Sequence, residues 1–189
     1  MISKMPNLNY KEITEENILF ATHLEMQIFP SSCGYFSYLK AYEKGAPYFL
    51  AYLDNEAFGI TGLYEEERLG EKGTVWLGWY GILKNYRGRG LGKAILLDTI
   101  KEAENRKYET LRLYTSEKLC PEACILYDKV MDLGENYTVE EKDLKRKVYS
   151  KSLNGKPVKP WKNKFLYLEE NHKEEEQANK FYIKLLNKN

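Results

Sequence analysis

A basic, glycine-rich segment lies between a predicted strand and a predicted helix and is well suited to binding an anion. Its sequence is Arg87-Gly88-Arg89-Gly90-Leu91-Gly92-Lys93. The glycines carry no β-carbon, so several backbone N–H groups can turn toward one point at the start of the helix, where the helix dipole also favours negative charge. The spacing matches neither the lysine P-loop nor the dinucleotide fingerprint GxGxxG. We therefore expect a pyrophosphate site here, with a structural glycine turn as the alternative.

Composition argues against a nucleic-acid partner for this segment. The chain has 29 Lys and Arg and 28 Asp and Glu, so its formal net charge is +1 and gives no overall attraction to polyanions. Arginine-glycine strings in RNA-binding tails are of low complexity, whereas this one lies inside a strand-loop-helix unit. We expect no nucleic-acid binding.

Length and residue content predict one folded domain with a modest extension. The chain has 189 residues, of which 43% are apolar and 14% aromatic. Charged residues interrupt each apolar run, and the first ten residues do not resemble a signal peptide, so we expect a cytoplasmic protein without a membrane partner. Cys33, Cys120 and Cys124 lack CxxC spacing, which predicts free thiols and no metal site.

Hydrophobic periodicity predicts the elements that surround the basic segment. A first helix follows Thr14, its expected cap, and ends at Pro30. In the central strand, Gly78 and Gly81 indicate a bulge or a close backbone approach. The elements expected after the first helix are a short helix over 35–44, a hairpin over 48–53 and 57–64, the central strand over 74–83, a helix over 91–106, a strand over 110–115 and a helix over 122–131.

The end of the chain predicts two more strands and a helix. The strands are expected over 145–153 and 164–168, with Asn154-Gly155 as a turn signal, and the amphipathic helix begins near His172. The order β, α, α, β, β, β, α, β, α, β, β, α predicts an α/β (α+β) fold with mixed parallel and antiparallel pairing. We expect a main domain over 1–170 and a helical extension over 171–189.

Two segments of the chain are similar to known sequence motifs. The first runs from Ile82 to Gly92 and is similar to a hydrophobic strand end followed by R/Q-x-x-G-x-G/A; Arg87, Gly90 and Gly92 occupy its three defined positions. The second, from Cys120 to Tyr127, resembles N-x-x-A-x-x-L-Y. Cys120 replaces the asparagine, and Met131-Asp132 replace a Gly-Phe pair, unless Leu133-Gly134 form the same turn shifted. Together the two motifs resemble those of the GNAT superfamily of N-acetyltransferases, and with the order of the elements the resemblance covers about residues 7–168.

This resemblance implies a mostly antiparallel sheet that is splayed at its centre and binds acetyl-CoA as a cosubstrate, without a metal. Ile82 and Leu83 are then the expected contacts of the pantetheine arm. The expected pyrophosphate contacts are Arg87, Gly88, Arg89, Gly90, Leu91, Gly92 and Lys93. Tyr127 matches the tyrosine that many members use as a general acid toward the CoA thiolate, because a phenol with a reference pKa near 10 is protonated at neutral pH.

The acceptor implied by the resemblance is an amine, which requires a base because alkylamines are largely protonated at pH 7. The nearest carboxylates to the central strand are Glu65, Glu66 and Glu67, although a solvated charged loop explains them too. We expect a small-molecule amine, because the tyrosine-rich segment 29–48 could wall a pocket; ordinary core packing is the alternative. A non-catalytic acetyl-CoA-binding module and a protein amino-group acetyltransferase are the alternative functions, and a homodimer is possible.

Overall fold

A computed structural model describes residues 8–30, 33–65, 71–139 and 144–161 and four positions near the C-terminus, and the first four of these ranges contain four bounded α-helices and seven strands. The helices are α1 (Ile18–Ile28), α2 (Tyr35–Glu43), α3 (Leu91–Asn105) and α4 (Pro121–Val130). The strands are β1 (Asn9–Glu12), β2 (Tyr48–Leu53), β3 (Glu56–Tyr64), β4 (Thr74–Ile82), β5 (Thr110–Thr115), β6 (Leu133–Val139) and β7 (Leu144–Ser152). In these described ranges, no helix is long and apolar enough to cross a membrane.

The strands form one sheet in the order β1-β2-β3-β4-β5-β7-β6. Pairing is antiparallel between β1 and β2, β2 and β3, β5 and β7, and β6 and β7. Because α3 connects β4 to β5, these two strands run parallel, over the pairs from Thr74–Thr110 to Trp76–Arg112. The predicted class is therefore confirmed as a mixed, mostly antiparallel sheet flanked by helices.

The start of α1 differs from the prediction. The helix begins at Ile18, and Thr14 instead closes a turn before it: the Thr14 carbonyl accepts the N–H groups of Asn17 and Ile18. The Asn17 side chain accepts the Thr14 N–H at 2.8 Å and so completes this turn. Thr14 was a reasonable cap by residue type, but the local hydrogen bonds of Asn17 delay the helix by one turn.

The last two strands also differ in part from the prediction. Strand β7 confirms the expected strand over 145–153, but its hairpin partner is the upstream β6, which begins at Leu133. Leu133-Gly134 therefore start a strand and do not form a helix-ending turn. Residues 164–168 lie outside the described part of the chain, as does most of the expected extension over 171–189. Its four described positions, Gln177, Lys180, Phe181 and Lys184, are helical and exposed.

The residues divide into two compact units, each with its own core. The first comprises Met1–Tyr64, Gly78–Thr99 and Leu168–Asn189, and the second comprises Glu65–Leu77 and Ile100–Tyr167. In the first unit, the apolar side of α3 packs on strand residues through Leu91 and Ile95, beside Phe58. The buried side chains of the second unit include Trp76, Leu111, Leu113, Val148 and Tyr149. A boundary at residue 170 remains a prediction.

Candidate functional site

The basic glycine segment lies where the sequence predicts it, in the first unit between the end of β4 and the start of α3. Gly88 and Gly90 have positive φ angles of 75° and 77°, a conformation that glycine adopts without steric cost. A β-carbon on either glycine would meet no atom within 4 Å, so the segment borders open space there. Helix α3 begins at Leu91, and the first N–H groups of a helix lack intrahelical partners. The geometry therefore suits an anion.

Two tyrosines of the first unit anchor this segment at its two ends. The Tyr86 ring packs on Phe58, with centroids 5.1 Å apart, and its hydroxyl donates to Glu56 at 2.6 Å. At the other end, the Tyr80 hydroxyl donates to the Gly92 carbonyl at 2.7 Å. The hydrogen bond to Glu56 raises the pKa of Tyr86, and burial raises the pKa of Tyr80. Both phenols therefore stay protonated donors. The sequence does not reveal these anchors, because the Glu56 carboxylate and the Gly92 carbonyl come within reach of the two hydroxyls only in the folded chain.

The charged side chains of the segment are exposed at its surface. Arg87, Arg89 and Lys93 are exposed, whereas Leu91 is buried, with 2% of its surface exposed, and belongs to the core. The guanidinium of Arg89 lies over the Tyr86 ring, 5.5 Å from its centroid. A cation held over an aromatic face has fewer accessible orientations than a free side chain. The structure therefore brings together the predicted cationic residues and constrains one of them.

The two residues predicted to contact pantetheine lie at the end of β4, and both pack on the core of the first unit. The Leu83 N–H donates to the Phe58 carbonyl at 2.8 Å, and its carbonyl accepts the Tyr86 N–H at 3.0 Å. The Ile82 side chain is half-buried and packs near Leu91 and Ile95. Leu83 thus fixes the turn into the segment, and it offers a ligand mainly its side chain.

The glycines of β4 make room for aromatic side chains of the first unit. A β-carbon at Gly78 would overlap the Tyr48 hydroxyl, and one at Gly81 would lie 2.6 Å from Phe29. The atoms that approach these two glycines belong to side chains, whereas the sequence predicted a bulge or a close backbone approach. The positive φ angle falls between the glycines, on Trp79, at 44°. A large residue rarely adopts this conformation, which costs of the order of 1–2 kcal/mol. Such strain is often found at functional sites.

Two of the four tyrosines in the segment 29–48, which was expected to wall a pocket, belong to the core. Tyr38 and Tyr48 are 1% and 4% exposed, and their rings pack edge to face at 5.2 Å. Phe29 and Trp79 are half-buried, with ring centroids 6.1 Å apart. The core-packing alternative is therefore correct for the two tyrosines, while Phe29 and Trp79 remain partly open.

A buried carboxylate that sequence reasoning missed lies in the same cluster. Glu25 of α1 is 0% exposed, and its Oε2 accepts hydrogen bonds from the Gly34 N–H and, at 3.3 Å, from the Tyr38 hydroxyl. Burial and then the charge of Glu25 raise the pKa of Tyr38. The sequence did contain a sign that Glu25 is buried, because Ile18, Thr22 and Glu25 follow one another at helical spacing on the buried side of α1. Glu25 thus fixes the Gly34 backbone and the Tyr38 hydroxyl, and the Tyr38 ring lies 6.5 Å from that of the half-buried Trp79.

Tyr127 lies on the buried side of α4 in the second unit. It is 5% exposed, and its ring is 5.3 Å from that of Tyr149 in β7. Pro121 occupies the first turn of α4, as predicted, and the Cys120 N–H donates to the Ser116 carbonyl at 2.9 Å. Cys120, at the position where the motif has asparagine, precedes the helix without a side-chain cap.

Of the three glutamates considered as bases, only Glu65 lies among the described residues, and the role of all three stays a prediction. Glu65 is exposed in the second unit, and it accepts a hydrogen bond from the Tyr108 hydroxyl at 2.7 Å. Burial, together with this bond, raises the pKa of Tyr108 to about 12. Glu66 and Glu67 lie outside the described residues. Among the residues that are described, no cluster of His, Cys, Asp or Glu could hold a metal ion.

Comparison with protein families identifies the class to which this fold and loop belong. A family model described as the acetyltransferase (GNAT) family matches residues 15–132, which is more than half of the 189 residues. The chain therefore belongs to the acetyltransferase (GNAT) family. No curated protein sequence matches it significantly.

Solved structures with the same fold have low sequence identity to this chain. The ribosomal-protein-S18-alanine N-acetyltransferase of Escherichia coli has a TM-score of 0.63 at 14% identity, over 82% of this chain and 100% of that one. The spermidine/spermine N-acetyltransferase of Vibrio cholerae has a TM-score of 0.62 at 13% identity, over 77% and 94%. A GNAT family acetyltransferase of Elizabethkingia anophelis, solved with acetyl-CoA bound, has a TM-score of 0.56 at 17% identity, over 77% and 98%. These similarities establish the fold.

Proposed function

We propose that this protein transfers the acetyl group of acetyl-CoA directly to the amine of a small molecule. The observation that carries the proposal is the anchored segment from Arg87 to Lys93 at the start of α3, within a chain of the GNAT family. Backbone N–H groups at a helix start bind phosphate groups without sequence-specific side chains. The pyrophosphate of acetyl-CoA is the anion that this family membership suggests.

Charge and rigidity at this segment both favour the coenzyme. Arg87, Arg89 and Lys93 surround the glycines, and the Tyr80 and Tyr86 hydroxyl bonds fix both ends of the loop. A loop that is ordered before binding loses less conformational entropy on binding, so more of the phosphate interaction contributes to affinity. We assign the pyrophosphate to Gly88, Gly90 and Gly92 and the pantetheine arm to Ile82 and the Leu83 side chain.

The proposed reaction is a single displacement in a ternary complex. The neutral amine nitrogen attacks the thioester carbonyl and forms the N–C bond, after which the C–S bond breaks and sulfur leaves with its electron pair. Tyr127 donates its phenolic proton to this sulfur, and the ammonium proton of the acceptor passes to a base or to water. The expected contribution of such an acid is about 10²–10⁴ in rate.

The aromatic cluster of the first unit supports a small cationic acceptor. Phe29 and Trp79 are half-buried, and the Glu25 carboxylate accepts a hydrogen bond from Tyr38, whose ring lies 6.5 Å from that of Trp79. A protonated amine is attracted both by aromatic faces and by a carboxylate in a region of low dielectric constant. We therefore favour amines over acidic or neutral acceptors.

A thiol-release assay tests the proposal. Acetyl-CoA is incubated with a panel of diamines, amino acids and amino sugars, and with peptides that offer an N-terminal or a lysine amine, while free CoA is measured. We expect at least one small amine to raise the rate well above background hydrolysis. Activity on peptides alone would replace the small-molecule acceptor with a protein acceptor.

Thermal unfolding with acetyl-CoA, combined with the thiol-release assay, distinguishes an enzyme from a non-catalytic binding module. Both an enzyme and a non-catalytic binding module would be stabilised, because a ligand that binds only the folded state stabilises it by mass action. Stabilisation without acceptor-dependent thiol release would support the binding module. The absence of both effects would refute acetyl-CoA as the ligand.

A further inference from the structure

We propose that Tyr149 is a positioning residue that holds Tyr127 in place for proton donation, and this inference rests on the proposed function. Tyr149 lies in β7, is 1% exposed and belongs to the second unit with α4. Neither sequence motif contains it. Its role follows from contacts with the helix that carries Tyr127.

Tyr149 holds α4 by polar contacts on both sides of Tyr127. Its hydroxyl donates to Asp128 Oδ1 at 2.8 Å and lies 3.4 Å from the Cys124 carbonyl oxygen. Asp128 directly follows Tyr127, and Cys124 precedes it by three residues on the same helix. The Tyr149 ring also packs on the Tyr127 ring at a tilt of 55°. A single side chain thus constrains both the helix backbone and the ring of the proposed acid.

A lysine and a glycine hold Tyr149 in this position. Lys147 Nζ bonds Asp128 Oδ1 at 2.8 Å and lies 4.8 Å from the centroid of the Tyr149 ring. On the neighbouring strand, a β-carbon at Gly134 would come within 3.2 Å of the Tyr149 ring and 2.9 Å of the Lys147 side chain. The glycine therefore leaves space that both side chains use. These contacts give the Tyr149 ring one orientation.

The consequence for catalysis is geometric. An acid must lie within hydrogen-bond reach of the leaving atom, and a displacement of about 1 Å can lower a rate about 100-fold. Loss of the Tyr149 hydroxyl removes its contacts with Asp128 and Cys124, so that only Lys147 still bonds Asp128, and it leaves the Tyr127 hydroxyl intact. The defect should therefore appear in turnover and depend on Tyr127.

A double-mutant cycle with Tyr127→Phe, Tyr149→Phe and both changes together tests this role. We expect Tyr149→Phe to lower kcat about tenfold and to leave the KM for acetyl-CoA within about twofold. The double variant should match Tyr127→Phe alone, because a positioning residue has no effect once the acid is gone. A further tenfold loss in the double variant, or a wild-type kcat for Tyr149→Phe, would overturn the inference.

A second pair of variants keeps the test decisive if Tyr149→Phe does not fold. Asp128→Ala removes the acceptor of the Tyr149 hydroxyl, whereas Asp128→Asn retains an oxygen at that position, so the alanine variant should lose more kcat. Equal kcat for this pair would overturn the inference.

Tyr108→Phe is the matched control, because Tyr108 lies in the same unit and bonds Glu65 instead of α4. Wild-type enzyme that releases no thiol with any acceptor would refute the proposed function itself.

Discussion

The segment proposed to bind the coenzyme and the helix proposed to carry the acid are positioned in opposite ways. Residues 87–93 are mostly exposed, and their conformation follows from glycines at positive φ and from two tyrosine anchors at the ends. Tyr127 is 5% exposed, and a tyrosine 22 residues later in the sequence constrains it. The first arrangement relies on backbone geometry and the second on side-chain packing. Changes in the segment should therefore alter acetyl-CoA affinity, and changes around α4 should alter turnover.

The largest expected effect is that of Tyr127→Phe on turnover. Loss of the phenolic proton should lower kcat about 100-fold or more, with acetyl-CoA affinity changed less than about threefold. Steady-state kinetics with the best acceptor, together with calorimetric titration of acetyl-CoA, measures both quantities. An unchanged kcat would remove Tyr127 from the acid role and break the proposed contrast between the two regions.

Gly90→Val should produce the reverse pattern. A β-branched residue at a φ of 77° is strained, and its side chain would cover the N–H groups at the start of α3, so the Kd for acetyl-CoA should rise about 30-fold. Gly155→Val is the matched control, because Gly155 has a φ of 75° in an exposed turn of the other unit. Similar affinity losses in both variants would indicate general destabilisation and no local effect on the segment.

Arg89→Ala should weaken acetyl-CoA binding by about fivefold. The lost phosphate interaction is exposed to solvent, so its contribution is small and should decrease further as salt is added. Arg106→Ala is a suitable control, since Arg106 pairs with Glu102 four residues earlier in α3. If Arg89→Ala bound acetyl-CoA with wild-type affinity at low salt, the guanidinium held over Tyr86 would have no role in phosphate binding.

The smallest expected effect concerns stability at low pH. Hydrogen bonds from Lys147 and Tyr149 hold the pKa of Asp128 below its usual value of 3.8. The folded state thus binds a proton at Asp128 more weakly than the unfolded state does. The contribution of ionised Asp128 to the stability of the folded state is therefore complete above about pH 5 and is lost as the pH falls below 3.8. The difference in unfolding temperature between wild type and Asp128→Asn should shrink from pH 6 to pH 3. A constant difference would contradict this explanation.

Local patterns in the sequence predicted the elements around residues 87–93 well. The glycines, the following amphipathic helix and the hairpin before β4 are each encoded within a few residues, and their predicted positions agree with the structure. Two predictions were wrong: Thr14 does not cap the first helix, and β7 forms its hairpin with β6 and not with a strand over 164–168. The Asn17 side chain changed the first turn, and Gly134, which suggested a turn, instead makes room beneath Tyr149. In both cases a specific contact overrode residue propensity.

The rest of the candidate site depends on contacts between residues far apart in the sequence. Tyr86 finds Glu56 across 30 positions, and Tyr149 finds Asp128 across 21. No spacing rule connects such pairs, because the sheet order that joins them is known only after folding. Glu25 is an intermediate case: its helical spacing indicated a buried face, but only the structure identifies Gly34 and Tyr38 as its donors.

Amide chemical shifts during titration with acetyl-CoA test the central claim most directly. The N–H signals of Gly88, Gly90 and Gly92 should move and saturate with one common Kd. Acetyl-pantetheine, which lacks the pyrophosphate, should move the Ile82 signal and leave these glycines unchanged. Glycine signals that stay fixed at saturating acetyl-CoA would contradict the assignment of the pyrophosphate to this segment.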